Sequence, residues 1–159
     1  MEQVCSVCGS PTHTTRGSYH YEESGLDNLT LKNVELLHCD NCGNEDPVIE
    51  AIETLHEGIA QAIAKRPGRL QGQEIRFLRK HLELTARQIA EILQVDHTTV
   101  SKWENDKDPI GSQSERLLRA ILMTMPKRRN SLLQQLARQT ETDARSNIEI
   151  DDKLAVQYA

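Results

Sequence analysis

One stretch constrains the fold of this chain more than any other. Residues 85–104 read TARQIAEILQVDHTTVSKWE and predict two short helices joined by a tight turn. Thr85 is placed to cap the first helix and Gln88 to complete a capping box with it. Asp96 is placed to cap the second helix. The turn between the helices falls at Gln94 and the residue after it.

The second of these helices has two unlike faces. Val100 and Trp103 form an apolar edge, and hydroxyl, amide and cationic groups lie opposite at helical spacing. Such a helix suits the DNA major groove, where these groups read base edges. The candidate DNA contacts are Gln88, Asp96, His97, Thr98, Thr99, Ser101, Lys102 and Asn105. Helical hairpins also occur in proteins that never bind DNA, so the flanking sequence matters.

Apolar periodicity continues on both sides of the hairpin. Ile75, Leu78 and Leu82 mark a preceding helix, and Ser112 with Glu115 predicts a capping box that opens a following one. The sequence therefore predicts a compact bundle of at least four short helices.

This bundle resembles the Xre/Cro-type repressor domain. The resemblance rests on Thr85, Ile89, Ala90, Leu93, Val95, Thr99, Val100, Ser101, Trp103 and Glu104. The chain departs from the family at Gln94, where a glycine is usual. By position in the family's recognition helix, the resemblance implies base reading by Thr98 and Lys102.

The four cysteines of the chain form a second motif. Cys5 and Cys8 are followed by glycine, and so are Cys39 and Cys42, which gives two copies of C-x-x-C-G. Two such turns can supply four thiolates to one tetrahedral Zn²⁺ in a closed, structural site. A redox pair, a disulfide framework and an iron–sulfur cluster are the competing interpretations.

The residues between the cysteine pairs predict short strands at 13–15, 18–21 and 31–37. We expect zinc to supply much of this region's folding free energy, because its apolar core is small. His20 and His38 lie nearby, but four thiolates already fill a tetrahedral site.

An amphipathic helix is predicted after Pro47, with Val48, Ile52, Leu55, Ile59 and Ala62 on one face. The sequence thus predicts an α+β chain in four parts. These are a small zinc-bound β domain (1–46), an amphipathic helix and hinge linker (47–72), an all-α helix-turn-helix bundle with an extra C-terminal helix (73–139), and a mobile tail (140–159).

Charge is distributed unevenly along the 159 residues, whose net charge is −5. Residues 69–131 hold 12 Lys and Arg against 8 Asp and Glu, whereas residues 1–68 hold 4 against 11. A basic helical domain can bind DNA within an acidic protein, because phosphate binding depends on local cations. The acidic N-terminal part is better suited to a basic protein partner. No signal peptide or membrane span is recognisable, so we expect a cytoplasmic protein.

The order of motifs, a four-cysteine zinc domain, a helical linker and an Xre-type domain, resembles the MqsA-type antitoxins with a YgiT-type zinc finger. The resemblance covers residues 1 to about 125. It implies a homodimer formed through the C-terminal domain, repression of a toxin–antitoxin operon at a palindromic operator, and neutralisation of a protein toxin by the zinc domain.

Beyond that region the chain has a basic cluster, Lys127-Arg128-Arg129, that is a candidate phosphate contact, and then an apolar stripe that predicts another helix. An alternative function is a stand-alone zinc-containing regulator without a toxin partner. An enzyme is disfavoured, because four thiolates leave a zinc ion no open position and no catalytic motif is recognisable.

Overall fold

The computed structural model describes residues 3–124, 126–138, 148–150 and 156–158. The order of elements confirms the predicted α+β class. Three strands come first, β1 (His13–His20), β2 (Thr30–His38) and β3 (Glu45–Pro47), and α-helices follow. The helices are α1 (Ile52–Lys65), α2 (Gly72–His81), α3 (Ala86–Leu93), α4 (His97–Glu104), α5 (Ser112–Met123) and α6 (Pro126–Arg138), and two short strands are β4 (Ile148–Ile150) and β5 (Val156–Tyr158).

The chain divides into two compact units, Met1–Met123 and Thr124–Ala159. The first contains the sheet and helices α1 to α5. The second contains α6, which confirms the helix predicted from the late leucines, and an antiparallel pairing of β4 with β5 that the sequence did not predict. The predicted tail otherwise lies outside the described residues, as do the side chains of Lys127 and Arg128. No helix in the described part of the chain is long and apolar enough to cross a bilayer.

The N-terminal sheet is antiparallel throughout, with strand order β1-β2-β3. The two strands predicted at 13–15 and 18–21 are one continuous strand. The register shifts between Gly17 and Tyr19, so the glycine marks a bulge where the sequence suggested a break. Leu36 is the fully buried residue of β2, at 2% exposure.

Helix α1 differs from its prediction in both its start and its buried face. It begins at Ile52, so Val48 precedes the helix, and Ile52 is 49% exposed. Ala62 is also exposed. The buried residues are Ile59, Ala60, Ile63 and Ala64. The helix packs against both α2 and α5, and therefore buries adjacent positions on each turn.

Aromatic side chains join the sheet region to the helices. The Tyr21 hydroxyl lies 3.0 Å from Nε2 of His56 on α1. The His56 ring meets Phe77 of α2 edge-on at 5.7 Å, and Phe77 stacks on His81 at 6.3 Å. His81 in turn lies 2.8 Å from a carboxylate oxygen of Glu57. The residue that follows β1 thus shares one cluster with α1 and α2, in which Tyr21 and Phe77 are buried and His56 and His81 are half-buried.

The segment between α1 and α2, suggested as a hinge by the sequence, is held by α5. Arg119 donates hydrogen bonds to four backbone carbonyls of residues 63–68 at 2.6 to 3.1 Å. The capping box predicted at Ser112 and Glu115 is wrong, because α5 already begins at Ser112. The Glu115 carboxylate instead accepts hydrogen bonds from the Leu70 amide and from Arg119.

Candidate nucleic-acid interface and metal centre

Helices α3 and α4 form the predicted hairpin, and their caps are those the sequence predicted. The Gln88 amide donates to the Thr85 hydroxyl at 3.2 Å, and the Thr85 amide donates to the Gln88 side chain at 2.8 Å. Asp96 accepts from the Thr98 amide at 2.8 Å. Hydrogen bonds from the side chain and the backbone amide of Thr98 lower the pKa of the Asp96 carboxyl. Each helix therefore begins at a residue fixed by local chemistry.

The turn between the helices requires a left-handed residue. Gln94 occupies that position with φ 54° and ψ 48°, the conformation that glycine adopts without strain. Its side-chain amide donates to the Glu91 carbonyl at 2.8 Å. The departure from the usual glycine therefore leaves the turn intact.

Helix α4 buries one face and exposes the other. Val100 and Trp103 are 1% and 5% exposed, which confirms the predicted apolar edge. Thr98, Ser101 and Lys102 are exposed on the other side. The helix thus presents hydroxyl and cationic groups outward from a rigidly packed base.

A buried ion pair fixes α4 against α2. Nε of Arg79 donates to the Glu104 carboxylate at 2.5 Å, and Glu104 is 8% exposed. This hydrogen bond is the main cause that raises the pKa of Arg79 above its usual value. Arg76 donates to the Glu104 carbonyl at 3.2 Å and to the Asn105 side chain at 3.0 Å. The pairing of Arg79 with Glu104 could not be predicted from local sequence patterns, because the two residues are 25 positions apart.

A close backbone approach completes the junction. The Gly72 amide donates to the Asp106 carboxylate at 2.7 Å. A Cβ atom at Gly72 would lie 2.6 Å from the Trp103 carbonyl oxygen, which is closer than packing allows. A side chain at position 72 would therefore prevent the start of α2 from packing against the end of α4.

The predicted DNA contacts are not equivalent in the structure. The Gln88 and Asp96 side chains act as helix caps, and the Asn105 amide donates to the Ser101 carbonyl at 2.7 Å. Thr99 is half-buried. The predicted contacts that are exposed and have no capping role all lie on α4. They are His97, Thr98, Ser101 and Lys102.

Among the residues that the structure describes, Lys102 has one neighbour of opposite charge. Its Nζ atom lies 3.6 Å from the Asp108 carboxylate, with both side chains more than half exposed at 55% and 57%. An exposed pair of this kind is weak. Lys102 is therefore available to a ligand that offers a better acceptor.

The four cysteines come together at the other end of the first unit. The Cys5 and Cys42 sulfurs are 3.6 Å apart, and those of Cys8 and Cys39 are 3.5 Å apart. All four sulfurs lie within 4.8 Å of one another, and none forms a disulfide. A tetrahedral ion with zinc–sulfur bonds of about 2.3 Å would hold its sulfurs about 3.8 Å apart. The cluster has the dimensions of such a site.

The two cysteine turns have the same backbone geometry. In the first, the Cys5 amide donates to the Ser10 carbonyl at 2.8 Å and the Gly9 amide donates to the Cys5 carbonyl at 3.0 Å. The second turn, which starts at Cys39, repeats these bonds at 2.9 and 2.8 Å. Gly9 and Gly43 have φ 71° and 74°, so both glycines are needed for the turn.

The thiols themselves favour a cation among them. Hydrogen bonds from Ser10 and then Asn41 lower the pKa of Cys8 to about 5. A hydrogen bond from the Asn44 amide lowers the pKa of Cys42. The contacts of the Cys42 thiol with the other three thiols outweigh that effect and raise the pKa to about 12. Crowded thiols cannot all ionise together, whereas a divalent cation stabilises four thiolates at once. The donor set therefore fits Zn²⁺, with Cys5, Cys8, Cys39 and Cys42 as its ligands.

His38 is not part of the cluster. Its Nδ1 lies 3.1 Å from the Glu45 carboxylate, on the surface of the sheet. His20 lies near Glu22 at 4.0 Å. Neither histidine belongs to the group of four sulfurs, which agrees with the prediction that thiolates alone fill the site.

Comparison with known proteins identifies the helical part. Residues 75–121 match the family described as Helix-turn-helix. The chain carries an Xre-type helix-turn-helix domain. It is a DNA-binding transcriptional regulator with a four-cysteine cluster at its N-terminus. No curated protein matches the chain. No solved structure matches it either.

Proposed function

We propose that this protein is the antitoxin of a type II toxin–antitoxin system and represses its own operon as a homodimer on a palindromic operator. The observation that carries the DNA-binding part is the exposed polar face of α4, with Thr98, Ser101 and Lys102 outward and Val100 and Trp103 buried behind it. We further propose that the chain has no catalytic activity and holds one structural Zn²⁺ in its cysteine cluster.

Base reading is assigned to the exposed side chains of α4. Lys102 can donate to guanine O6 and N7, and Thr98 can donate or accept, or meet a thymine methyl group. Thr98 lies in the first turn of α4, from which recognition helices of this type mainly reach base edges, and Lys102 lies in the last turn with a longer side chain. Two protomers would read half-sites about one helical turn apart, which accounts for a palindrome.

The toxin-binding part of the proposal rests on the charge of the N-terminal region. Residues 1–68 hold 11 Asp and Glu against 4 Lys and Arg, in a region that contains none of the predicted DNA contacts. Complementary charge speeds association and selects partners. An acidic zinc domain fused to a DNA-binding domain supports a basic protein toxin as the partner.

A substitution in α4 tests the DNA-binding proposal. The operator is first selected from random duplexes, and affinity is then compared for Lys102→Ala and Lys65→Ala, an exposed control on α1. We expect Lys102→Ala to weaken operator binding by about 1 to 3 kcal/mol and to relax discrimination at one base pair. Lys65→Ala should bind as the wild type does. If the wild type and both variants bound the operator equally well, Lys102 would not be a DNA contact.

Co-purification tests the antitoxin proposal. The chain is expressed with the product of the gene beside its own, and the complex is isolated through a tag on that product. We expect a stable complex that is lost when residues 1–46 are deleted and weakened by salt. Operator binding without any such complex would identify a stand-alone zinc-containing regulator instead.

A further inference from the structure

A second charged feature contains no residue of the reading face, which consists of the exposed Thr98, Ser101 and Lys102 of α4. The segment that joins α1 to α2 and the beginning of α5 line an open cavity of about 390 Å³. Its polar walls are Arg66, Arg69, Ser112, Glu115, Arg116 and Arg119. Four of these six side chains are guanidinium groups, and one is a carboxylate.

Two of the four arginines stabilise the fold through hydrogen bonds to other parts of the chain. Arg119 donates to four carbonyls of residues 63–68 and to Glu115 at 2.8 Å. Arg66 donates to both carboxylate oxygens of Glu74, which is 2% exposed. The positive charges of Arg119 and Arg66 are each balanced by one carboxylate, and these side chains form a fixed wall.

The other two arginines have no such role. Arg69 and Arg116 are exposed, and neither guanidinium has a hydrogen bond or ion pair within the ranges that the structure describes. The Ser112 hydroxyl beside them is exposed too. The cavity therefore has two uncompensated positive charges and a free hydroxyl at its mouth.

We propose that this cavity binds a phosphate group through Arg69, Arg116 and Ser112. Guanidinium groups bind phosphate oxygens through paired N–H donors, and a hydroxyl can donate a further hydrogen bond. The phosphate can come from the DNA backbone or from a free phosphorylated compound. These sources share one recognition chemistry, and experiment separates them.

Chain position favours the DNA backbone. Ser112 follows Asp108 by four residues, and the Asp108 carboxylate lies 3.6 Å from Nζ of Lys102. The cavity is therefore one short loop from the predicted reading face, and phosphates line both sides of a major groove. This choice of source rests on the proposed DNA-binding function, whereas the phosphate site itself does not.

The first experiment is independent of DNA. Inorganic phosphate is titrated into the zinc-loaded full chain while NMR follows the arginine side-chain Nε–Hε signals. We expect saturable shifts at Arg69 and Arg116 and none at Arg16, an exposed arginine on the sheet. Absence of saturable shifts at both cavity arginines would overturn the phosphate site, whatever the DNA measurements show.

The second experiment identifies the source of the phosphate. The variant Arg69→Gln/Arg116→Gln is compared with Arg16→Gln/Lys32→Gln, which removes the same charge from the sheet. If DNA supplies the phosphates, the slope of log affinity against log salt should fall by about two for the cavity variant only. Its loss of affinity should be equal for operator and scrambled duplexes. Melting temperatures should match the wild type, since all four side chains are exposed.

The two experiments give separable outcomes. Phosphate shifts with a reduced salt slope support the site and assign it to the DNA backbone. Phosphate shifts with an unchanged slope support the site and assign it to a free phosphorylated compound. If the wild type binds no duplex at all, the proposed function fails, and the phosphate titration still decides the site.

Discussion

Gln94 closes the turn between α3 and α4 in a conformation that costs a side chain about 1 to 2 kcal/mol. We expect Gln94→Gly to raise the free energy of unfolding by about 0.5 to 1 kcal/mol, because relief of this strain exceeds the flexibility that glycine adds to the unfolded chain. Urea denaturation measures the change.

Gln94→Ala is the matched control for that prediction. It keeps a Cβ atom in the left-handed conformation and removes the hydrogen bond to the Glu91 carbonyl. We expect it to be less stable than the wild type. An alanine variant as stable as the glycine variant would show that backbone strain is not the cause.

His56 makes stability depend on pH. Burial lowers its pKa below the usual 6.5, and the charge of His81 lowers it further. Below pH 6.5 the unfolded chain therefore binds more protons than the folded chain. The contribution of His56 to stability is fully present above that pH and is lost as the pH falls through the lowered pKa of the folded state. We expect the free energy of unfolding of His56→Gln to fall less than that of the wild type between about pH 7.5 and about pH 5.5.

The comparison isolates His56 because other titrating groups are common to both proteins. The groups around it are the Tyr21 hydroxyl, the Phe77 ring and His81, which binds Glu57. Asn28→Ala, an exposed substitution that removes no titrating group, should leave the pH dependence unchanged. Parallel curves for His56→Gln and the wild type would contradict this account.

At the scale of elements, helices α3 and α4 could be predicted in detail because their signals are local. Thr85, Gln88 and Asp96 act on amides within three residues of themselves. The buried face of α1 could not be predicted, since it depends on which helices pack beside it. The bonds from Arg119 to residues 63–68 likewise join positions more than 50 residues apart.

The ion pair between Arg79 of α2 and Glu104 of α4 leads to a prediction about stability. Arg79→Met leaves the buried Glu104 carboxylate with Arg76, at 3.6 Å, as its cationic neighbour within the described part of the chain. We expect this variant to lose about 3 kcal/mol of unfolding free energy, because the buried carboxylate loses both hydrogen bonds from its closest cation. Urea denaturation of Arg79→Met, of Glu104→Gln and of the double variant measures the coupling.

The double variant carries the sharper test. If the penalty comes from the unpaired carboxylate, Arg79→Met/Glu104→Gln should be more stable than Arg79→Met alone. Arg87→Met, an exposed control on α3, should change stability by less than about 0.5 kcal/mol. Additive losses in the double variant would mean that the two side chains act separately.

At the scale of the whole molecule, the sequence predicted the order of parts better than their contacts. The spacing of two C-x-x-C-G motifs was enough to predict that four sulfurs meet, because each turn is set by its own glycine. The cavity at Arg69 and Arg116 could not be predicted, because it exists only where residues 66–69 cross α5.

The cysteine cluster leads to a prediction about how stability is shared. Few residues are buried in the region that contains β1, β2 and β3. They are Cys5, Tyr21, Leu26, Leu36 and Cys39. The helical core is larger and contains none of the cysteines. A bound zinc ion can contribute on the order of 10 kcal/mol to folding, so the sheet should depend on metal far more than the helices do.

Cys39→Ser tests that dependence, since Cys39 is completely buried. We expect the wild type to bind one zinc ion per chain and the variant to bind none, as measured by atomic emission. In hydrogen exchange, amides of β1 and β2 should lose protection in the variant, whereas those of α3 and α5 should keep it. Ser18→Ala, at an exposed position of β1 outside the cysteine cluster, should retain both zinc and protection. Loss of protection in α3 and α5 together with the sheet would instead show that metal binding holds the helical core as well, and that Met1–Met123 unfolds as one cooperative unit.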